Sequence, residues 1–289
     1  MNGILLVDKP TDWTSSDVVA KLRGLLHEKR IGHSGTLDPM ATGLLVVFVG
    51  RATRAVEFAE SQEKRYLASL RLGITTDTQD ITGNRVSGEA REISEEKLEE
   101  TMARYRGNIQ QIPPMYSAIK VGGKKLYEIA RRGGEVERKP RPVCIRELRL
   151  LGREGEDWLL DVTCSKGTYI RTLCHDIGQS LGCGGCMSAL RRVRAGEFSI
   201  DNAHTLDEIW QASQKGEAES LLLPVDSLFR EYPSLSVDAR GELRIRCGSS
   251  IATLAEEGDY RIYGPDGAFL ALARVSGGEL TCIKRFFEV

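Results

Sequence analysis

The segment Ile31-Gly32-His33-Ser34-Gly35-Thr36-Leu37-Asp38-Pro39-Met40-Ala41-Thr42-Gly43 sets one carboxylate, Asp38, and one imidazole, His33, among three glycines. Pro39 disfavours helical backbone at the residue before it and pushes Asp38 toward an extended conformation. The glycines permit close approach of another chain. A carboxylate held in this way, with no second acidic residue nearby, suits a nucleophile better than one half of an acid–base pair. Composition alone also allows a plainer reading, with Asp38 a turn residue and His33 a solvated loop histidine. The other spacing with chemical potential is Cys183-Gly184-Gly185-Cys186. A structural zinc site needs four ligands, and no second such pair or paired histidine exists. The expectation is therefore no metal, and two semi-buried thiols before a strand.

These residues must be carried by regular elements. Gly3 to Val7 reads as a short apolar strand. Thr14 or Ser15 caps a helix whose buried stripe is Val18, Val19, Leu22, Leu25 and Leu26. The polar, glycine-bearing stretch from His27 to Pro39 reads as a loop, and Leu44 to Gly50 as a strand. From Arg65 to Gly73, Tyr66, Ala68, Leu70 and Leu72 alternate with other positions, the two-residue period of a half-buried strand. Ile93 to Tyr105 reads as a charged helix. Gln111 to Pro142 holds Pro113-Pro114, Gly122-Gly123 and Gly133-Gly134 around one short helical piece, Leu126 to Arg131, and reads as a projecting insertion. Val143 to Leu151 and Trp158 to Cys164 form a strand pair. Ile170, Leu173, Cys174, Ile177 and Leu181 mark an amphipathic helix, and Met187 to Val193 and Glu197 to Ile200 return as strands. Beyond Leu223-Pro224 the character changes: short strand-like runs between glycine turns predict a small all-β unit over about 230–289.

A chain of 289 residues suggests about two domains. Its 41% hydrophobic and 28% charged residues are those of an ordinary soluble protein. The longest apolar run, Leu44 to Val49, is far too short to span a bilayer. The opening residues lack the basic segment and apolar core of a secretion signal, so the expected compartment is the cytoplasm, with all seven cysteines reduced. The net charge of −1 is a poor advertisement for nucleic-acid binding, but it is unevenly spread. Eight Arg/Lys face three Glu between Arg131 and Arg153, whereas Glu89 to Glu100 holds six Glu against two cations. A basic surface turned away from an acidic helix can bind RNA, although both can equally be solvated faces.

The wording of the motifs is more specific than the composition. Gly-His-Ser-Gly-Thr-Leu-Asp-Pro at 32–39, followed by Ala-Thr-Gly-Leu-Leu at 41–45, closely resembles the active-site motif of the bacterial TruB family, the tRNA pseudouridine synthases acting on uridine 55 of the T loop. The likeness recurs in order: Gly3-Ile4 with Asp8-Lys9-Pro10 and Thr14-Ser15; Lys64-Arg65-Tyr66; Asp77-Thr78-Gln79-Asp80 with Gly83; Ile112-Pro113-Pro114-Met115-Tyr116-Ser117-Ala118; Ser165-Lys166-Gly167-Thr168-Tyr169-Ile170-Arg171; Leu190-Arg191-Arg192; and Leu223-Pro224-Val225-Asp226. It spans about Gly3 to Asp226. One departure is Asp12, where the family usually has Gly; Asp tolerates a left-handed turn better than most residues, so the turn is expected to persist.

The resemblance implies an α+β pseudouridine synthase fold: a mostly antiparallel mixed sheet flanked by helices over 1–229, a thumb insertion at about 111–142, and a small C-terminal PUA-like RNA-binding β domain over 230–289. It implies a cofactor-free isomerisation in which Asp38 is the catalytic carboxylate, adding to C6 of the base, acting at C1′ or taking the C2′ proton. It makes Arg171 the cation that keeps Asp38 ionised, and Tyr66 the platform on which the extruded base stacks. His33 would help hold or displace the loop nucleotides, Tyr169 and Leu190 would pack around the base, and Asp80 resembles a residue of the family's flipping network. Lys9 and Lys166 would meet phosphates or brace the pocket. The thumb cations Lys120, Lys124, Lys125, Arg131, Arg132, Arg138, Lys139 and Arg141 suit the phosphates of the tRNA T arm. The implied enzyme is a monomer that needs no guide RNA and no membrane. The rival readings are a catalytically idle RNA-binding protein and a guide-RNA-dependent synthase; the thumb-like insertion and the lack of a long basic tail argue against the latter.

Overall fold

The computed structural model describes residues 1–287. Strand β1 (Gly3–Lys9) leads through a tight turn into helix α1 (Ser15–Leu25), whose capping box pairs Thr14 with the backbone and side chain of Asp17. Asp12 adopts φ +63°, so the expected left-handed turn persists. Strand β2 (Ile31–Ser34) pairs with β3 (Thr42–Val49) and places His33 opposite Val47, so part of the expected loop is ladder and His33 is a strand residue. Helix α2 (Val56–Ser61) precedes β4 (Lys64–Leu72), in which Lys64, Tyr66, Ala68 and Leu70 are the buried positions. The small hairpin β5 (Thr75–Thr76) and β6 (Arg85–Ser87) frames the turn that carries Asp80. Helix α3 (Glu95–Ala103) and strand β7 (Gly107–Gln111) follow.

The insertion between β7 and β10 holds the ribbon β8 (Lys120–Val121) and β9 (Lys124–Lys125) and the one-turn helix α4 (Leu126–Ala130). The chain re-enters the sheet as β10 (Arg141–Glu154) and β11 (Asp157–Cys164), then forms α5 (Ile170–Ser180), β12 (Gly185–Ala195), β13 (Phe198–Ser199) and α6 (Leu206–Gln214).

The main sheet runs β1-β3-β12-β4-β11-β10-β7, with β2 added to β3 and β13 to β12. Every pairing is antiparallel except β3 with β12, where Thr42 faces Arg191 and Gly43 faces Arg192. That parallel junction brings the segment after Asp38 against Leu190-Arg191-Arg192. A methyl group at Gly43, whose φ is +99°, would collide with the Arg192 carbonyl, so this contact requires glycine.

Strands β1 and β3 are covered on both faces, which accounts for an unbroken apolar run where alternation would mark a one-sided strand. Leu5, Val7, Leu45 and Val47 pack on α1 and Ile209 of α6; Ile4, Leu6, Leu44, Val46 and Phe48 pack against α2, Phe229 and the C-terminal residues Leu272 and Phe286. A third core joins β4, β10 and β11 to α3 and α5. The tail forms a separate sheet from β14 (Ser234–Ser236), β15 (Ile251–Ala252), β16 (Gly258–Tyr263), β17 (Phe269–Ser276) and β18 (Glu279–Arg285). It is not all β: helix α7 (Ala239–Arg246) buries Ile245 in its core. The tail docks on the main sheet through stacked Phe269 and Phe286 against Phe229, and through Lys284 paired with Glu57 at 2.6 Å. No helix among the described residues is long and apolar enough to cross a membrane.

Candidate active site

Asp38 sits in a turn, closed by the Ala41 N–H donating to its carbonyl, just ahead of β3. Three neighbours pin that turn. The Ser15 hydroxyl accepts from Leu37 N at 2.9 Å and donates to Leu37 O at 3.2 Å. Asp12 N donates to Pro39 O at 2.8 Å. The Lys9 ammonium donates to the carbonyls of Pro10, Trp13 and Pro39. Lys9 has no exposed surface, and burial lowers its pKa to about 8. Of the two roles expected of Lys9, meeting a phosphate or bracing the pocket, its contacts fit the second and not the first: all three donors of its ammonium face backbone oxygens around the turn.

Arg171, in the first turn of α5, is 5% exposed and aims its guanidinium at Asp38. Nε lies 2.9 Å from Asp38 Oδ2 and Nη2 3.2 Å from Oδ1, a two-pronged pairing. Nη1 donates to Thr78 O and lies 3.6 Å from Asp80 Oδ2, while Nη2 also donates to Tyr116 O. Asp80 is buried and accepts at Oδ1 from the Thr78 hydroxyl and from the backbone and hydroxyl of Thr82. The turn is tightened by Gln79 at φ +66°, whose side chain accepts from Thr172 of α5. The reading that no acidic group stands near Asp38 holds only along the chain. In space, Asp80 shares its arginine.

The Asp38 side chain keeps 36% of its surface open to solvent while protein atoms crowd its other sides. That crowding raises its pKa above the ordinary carboxylate range; the Arg171 charge pulls it down and Asp80 pushes it up. Tyr66 and Leu190 lie in the same apolar cluster as Leu37, Ala41 and Ile170, beside the turn. Burial raises the Tyr66 phenol, against the pull of the Arg192 charge. His33 is partly buried, its Nδ1 has no hydrogen-bond partner, and burial together with Arg192 lowers its pKa and favours the neutral imidazole.

Tyr169 caps α5. Its backbone N–H donates to Gln111 Oε1 and its carbonyl accepts from Gln111 Nε2, which ties the root of the insertion to the start of the arginine-bearing helix. Lys166 is exposed in the turn before α5, and Lys120, Lys124, Arg132, Lys139 and Arg141 are exposed on or beside the insertion. Arg138 is instead engaged with Pro113 O and Glu135. The second half of the basic run pairs within the sheet region, Arg146 with Glu63 and Arg149 with Glu147.

The structure thus gathers Asp38, Arg171, Asp80, Tyr66, Leu190 and Tyr169 around one turn, and the charge of Arg141, at the end of the insertion, reaches Tyr169. Sequence reasoning gave no role to Ser15, Gln111 or Arg192. Ser15 and Arg192 stand inside the family-like motifs, but Gln111 carries no local mark, since its partner Tyr169 is distant in sequence. Cys183 and Cys186 are both buried, and no grouping of three potential metal ligands exists among the described residues.

Residues 23–170 match the family described as TruB family pseudouridylate synthase (N terminal domain), and residues 171–230 match the tRNA pseudouridylate synthase B C-terminal domain. A Syntrophotalea carbinolica protein named tRNA pseudouridine synthase B is 43% identical, over 99% of this chain and 98% of its own length. A Syntrophomonas wolfei protein of the same name is 44% identical, over 96% and 94%. Among solved structures, a chain from a Cbf5-Nop10-Gar1 complex superposes with a TM-score of 0.74 at 26% identity, across 99% of this chain and 85% of its own.

Proposed function

The chain belongs to the TruB family of pseudouridylate synthases, and we propose that it converts uridine 55 in the T loop of tRNA to pseudouridine with Asp38 as its catalytic group. The reaction breaks the bond from uracil N1 to ribose C1′ and forms one from C5 to C1′. A proton leaves C5 and one is gained at N1, so atoms and electrons balance without a cofactor. The observation that carries the assignment is the Asp38 carboxylate, fixed by two donors of a buried guanidinium yet open on one side.

A uridine inside a folded loop must be everted before that carboxylate can reach it, and unstacking costs a few kcal/mol. Tyr66 offers a ring for the everted base, and Leu190 and Tyr169 supply the walls. His33, neutral and partly exposed, suits contact with a displaced loop nucleotide. Asp80 acts by holding Arg171. Lys120, Lys124, Arg141 and Lys166 would meet phosphates of the T arm, which supplies affinity and register rather than sequence choice. The 230–289 module, read as PUA-like, would extend that surface. The enzyme is proposed to act in the cytoplasm as a monomer and without guide RNA.

The test is a single-turnover assay with the purified chain alone on an unmodified T-arm stem-loop, each loop uridine replaced in turn, with product read by carbodiimide labelling. Conversion confined to the position-55 uridine is expected. Conversion of a different uridine, or product only when a guide RNA is added, refutes the reading.

A further inference from the structure

Among the described residues Arg192 is the largest fully buried side chain, 1% exposed, and it forms no ion pair. A buried charge without a counter-charge is costly, and an apolar side chain of similar volume would commonly give a more stable fold. Its surroundings add to the cost: the Arg192 charge lowers the pKa values of Lys9, Lys64 and His33. Fold stability alone therefore gives no reason for an arginine here.

Its hydrogen bonds give one. Nε donates to Leu44 O at 2.6 Å and Nη2 donates to Gly35 O at 2.9 Å. Gly35 precedes Asp38 and Leu44 follows it, so one rigid, planar group holds both ends of the segment that carries the carboxylate. Gly35 has φ +69°, and a Cβ there would lie 3.1 Å from Nη1, so the guanidinium occupies the space a side chain would need. Arg192 stands beside Gly43 of β3 on one side and opposite Tyr66 of β4 on the other. It thereby fixes the turn relative to the strand that presents the phenol.

We propose that Arg192 is a positioning residue for the isomerisation, acting on Asp38 through the Gly35 and Leu44 carbonyls. The inference rests on the activity proposed above. The contribution expected of such a tether is set by distance tolerance: a displacement of about 1 Å at a reacting group costs on the order of 100-fold in rate.

The experiment compares Arg192→Met and Arg192→Lys with wild type on the T-arm stem-loop, measuring single-turnover rate, RNA affinity and thermal stability. Asp161→Asn, which removes the charge that buried Asp161 of β11 sets against the exposed Arg65 side chain of β4, serves as a destabilised control outside the site. The expected result is a rate about 100-fold lower in Arg192→Met, a smaller loss in Arg192→Lys, and unchanged affinity in both, whereas Asp161→Asn loses stability but not rate. A wild-type rate in either folded Arg192 variant overturns the inference, as does a loss that only tracks the unfolded fraction. If Arg192→Met does not fold, the lysine variant decides alone. An inactive wild type would instead reject the proposed activity.

Discussion

Asp38 and Asp80 approach one guanidinium from different sides: Arg171 Nε lies 2.9 Å from Asp38 Oδ2, and Nη1 lies 3.6 Å from Asp80 Oδ2. The two carboxylates are not equivalent. Asp80 is buried and accepts three hydrogen bonds from Thr78 and Thr82, while Asp38 opens to solvent and, among the described residues, has no donor beyond the arginine. One acid is thus buried behind the arginine, and the other keeps an open face toward solvent.

This arrangement sets the acid limb of the pH–rate profile. On the proposed mechanism turnover requires ionised Asp38, so the rate is expected to fall as pH drops through its pKa, which burial places above the ordinary carboxylate value. Arg171→Met removes the charge that lowers this pKa, and the acid limb is expected to move to higher pH. Asp80→Asn removes the like charge that raises it, and the limb is expected to move to lower pH. Opposite displacements in single-turnover profiles would bear out the shared-arginine geometry. Shifts in the same direction would mean that Asp38 does not govern the limb.

Asp38→Asn keeps the shape of the side chain and removes its charge and nucleophilicity. Turnover should become undetectable, while affinity for the T-arm stem-loop should stay within a few-fold, because phosphate contacts generally dominate RNA affinity and Asp38 is not among the cations proposed to make them. Residual conversion by this variant at a rate above background would show that another group does the chemistry.

Much of this site can be read along the chain, but not its mutual geometry. The Leu44–Val49 strand, the Thr14 cap and the Tyr66–Leu70 alternation follow from local rules and stand in the fold. Strand β2 escapes such rules, because Gly32, His33 and Ser34 carry little strand propensity and are held by pairing with β3. Helix α7 escapes for a related reason: Ile245 is the one large apolar residue that it buries, so no stripe marks it. The hydrogen bonds of Lys9 to Pro39, and of Arg192 to Gly35 and Leu44, are contacts that only the folded chain makes.

The insertion cations lead to a separate measurement. Lys120 and Lys124 flank the exposed Val121–Gly123 tip, where their charges face solvent. Replacing both with Gln should weaken RNA binding and reduce the slope of log affinity against log salt by about one unit per lost phosphate contact. The single-turnover rate at saturating RNA should not change. An intact slope would place the RNA elsewhere on the protein.

Asp176 provides a test of stability independent of RNA. It lies on α5, and burial pushes its carboxyl up to about 6 from an ordinary value of 3.8. In the unfolded chain the group ionises at the lower value, so between these two pH values the folded state binds more protons. The contribution of Asp176 to stability then falls as pH rises from about 4 to about 6, and the loss persists at neutral pH. Asn cannot ionise, so Asp176→Asn should be more stable than wild type near pH 7.5 and no more stable near pH 4. Allowing for solvent at the exposed edge of the side chain, the gain at neutral pH is about 1 to 2 kcal/mol. Urea titrations at the two pH values measure it. An equal effect at both would assign the change to packing on α5 rather than to ionisation.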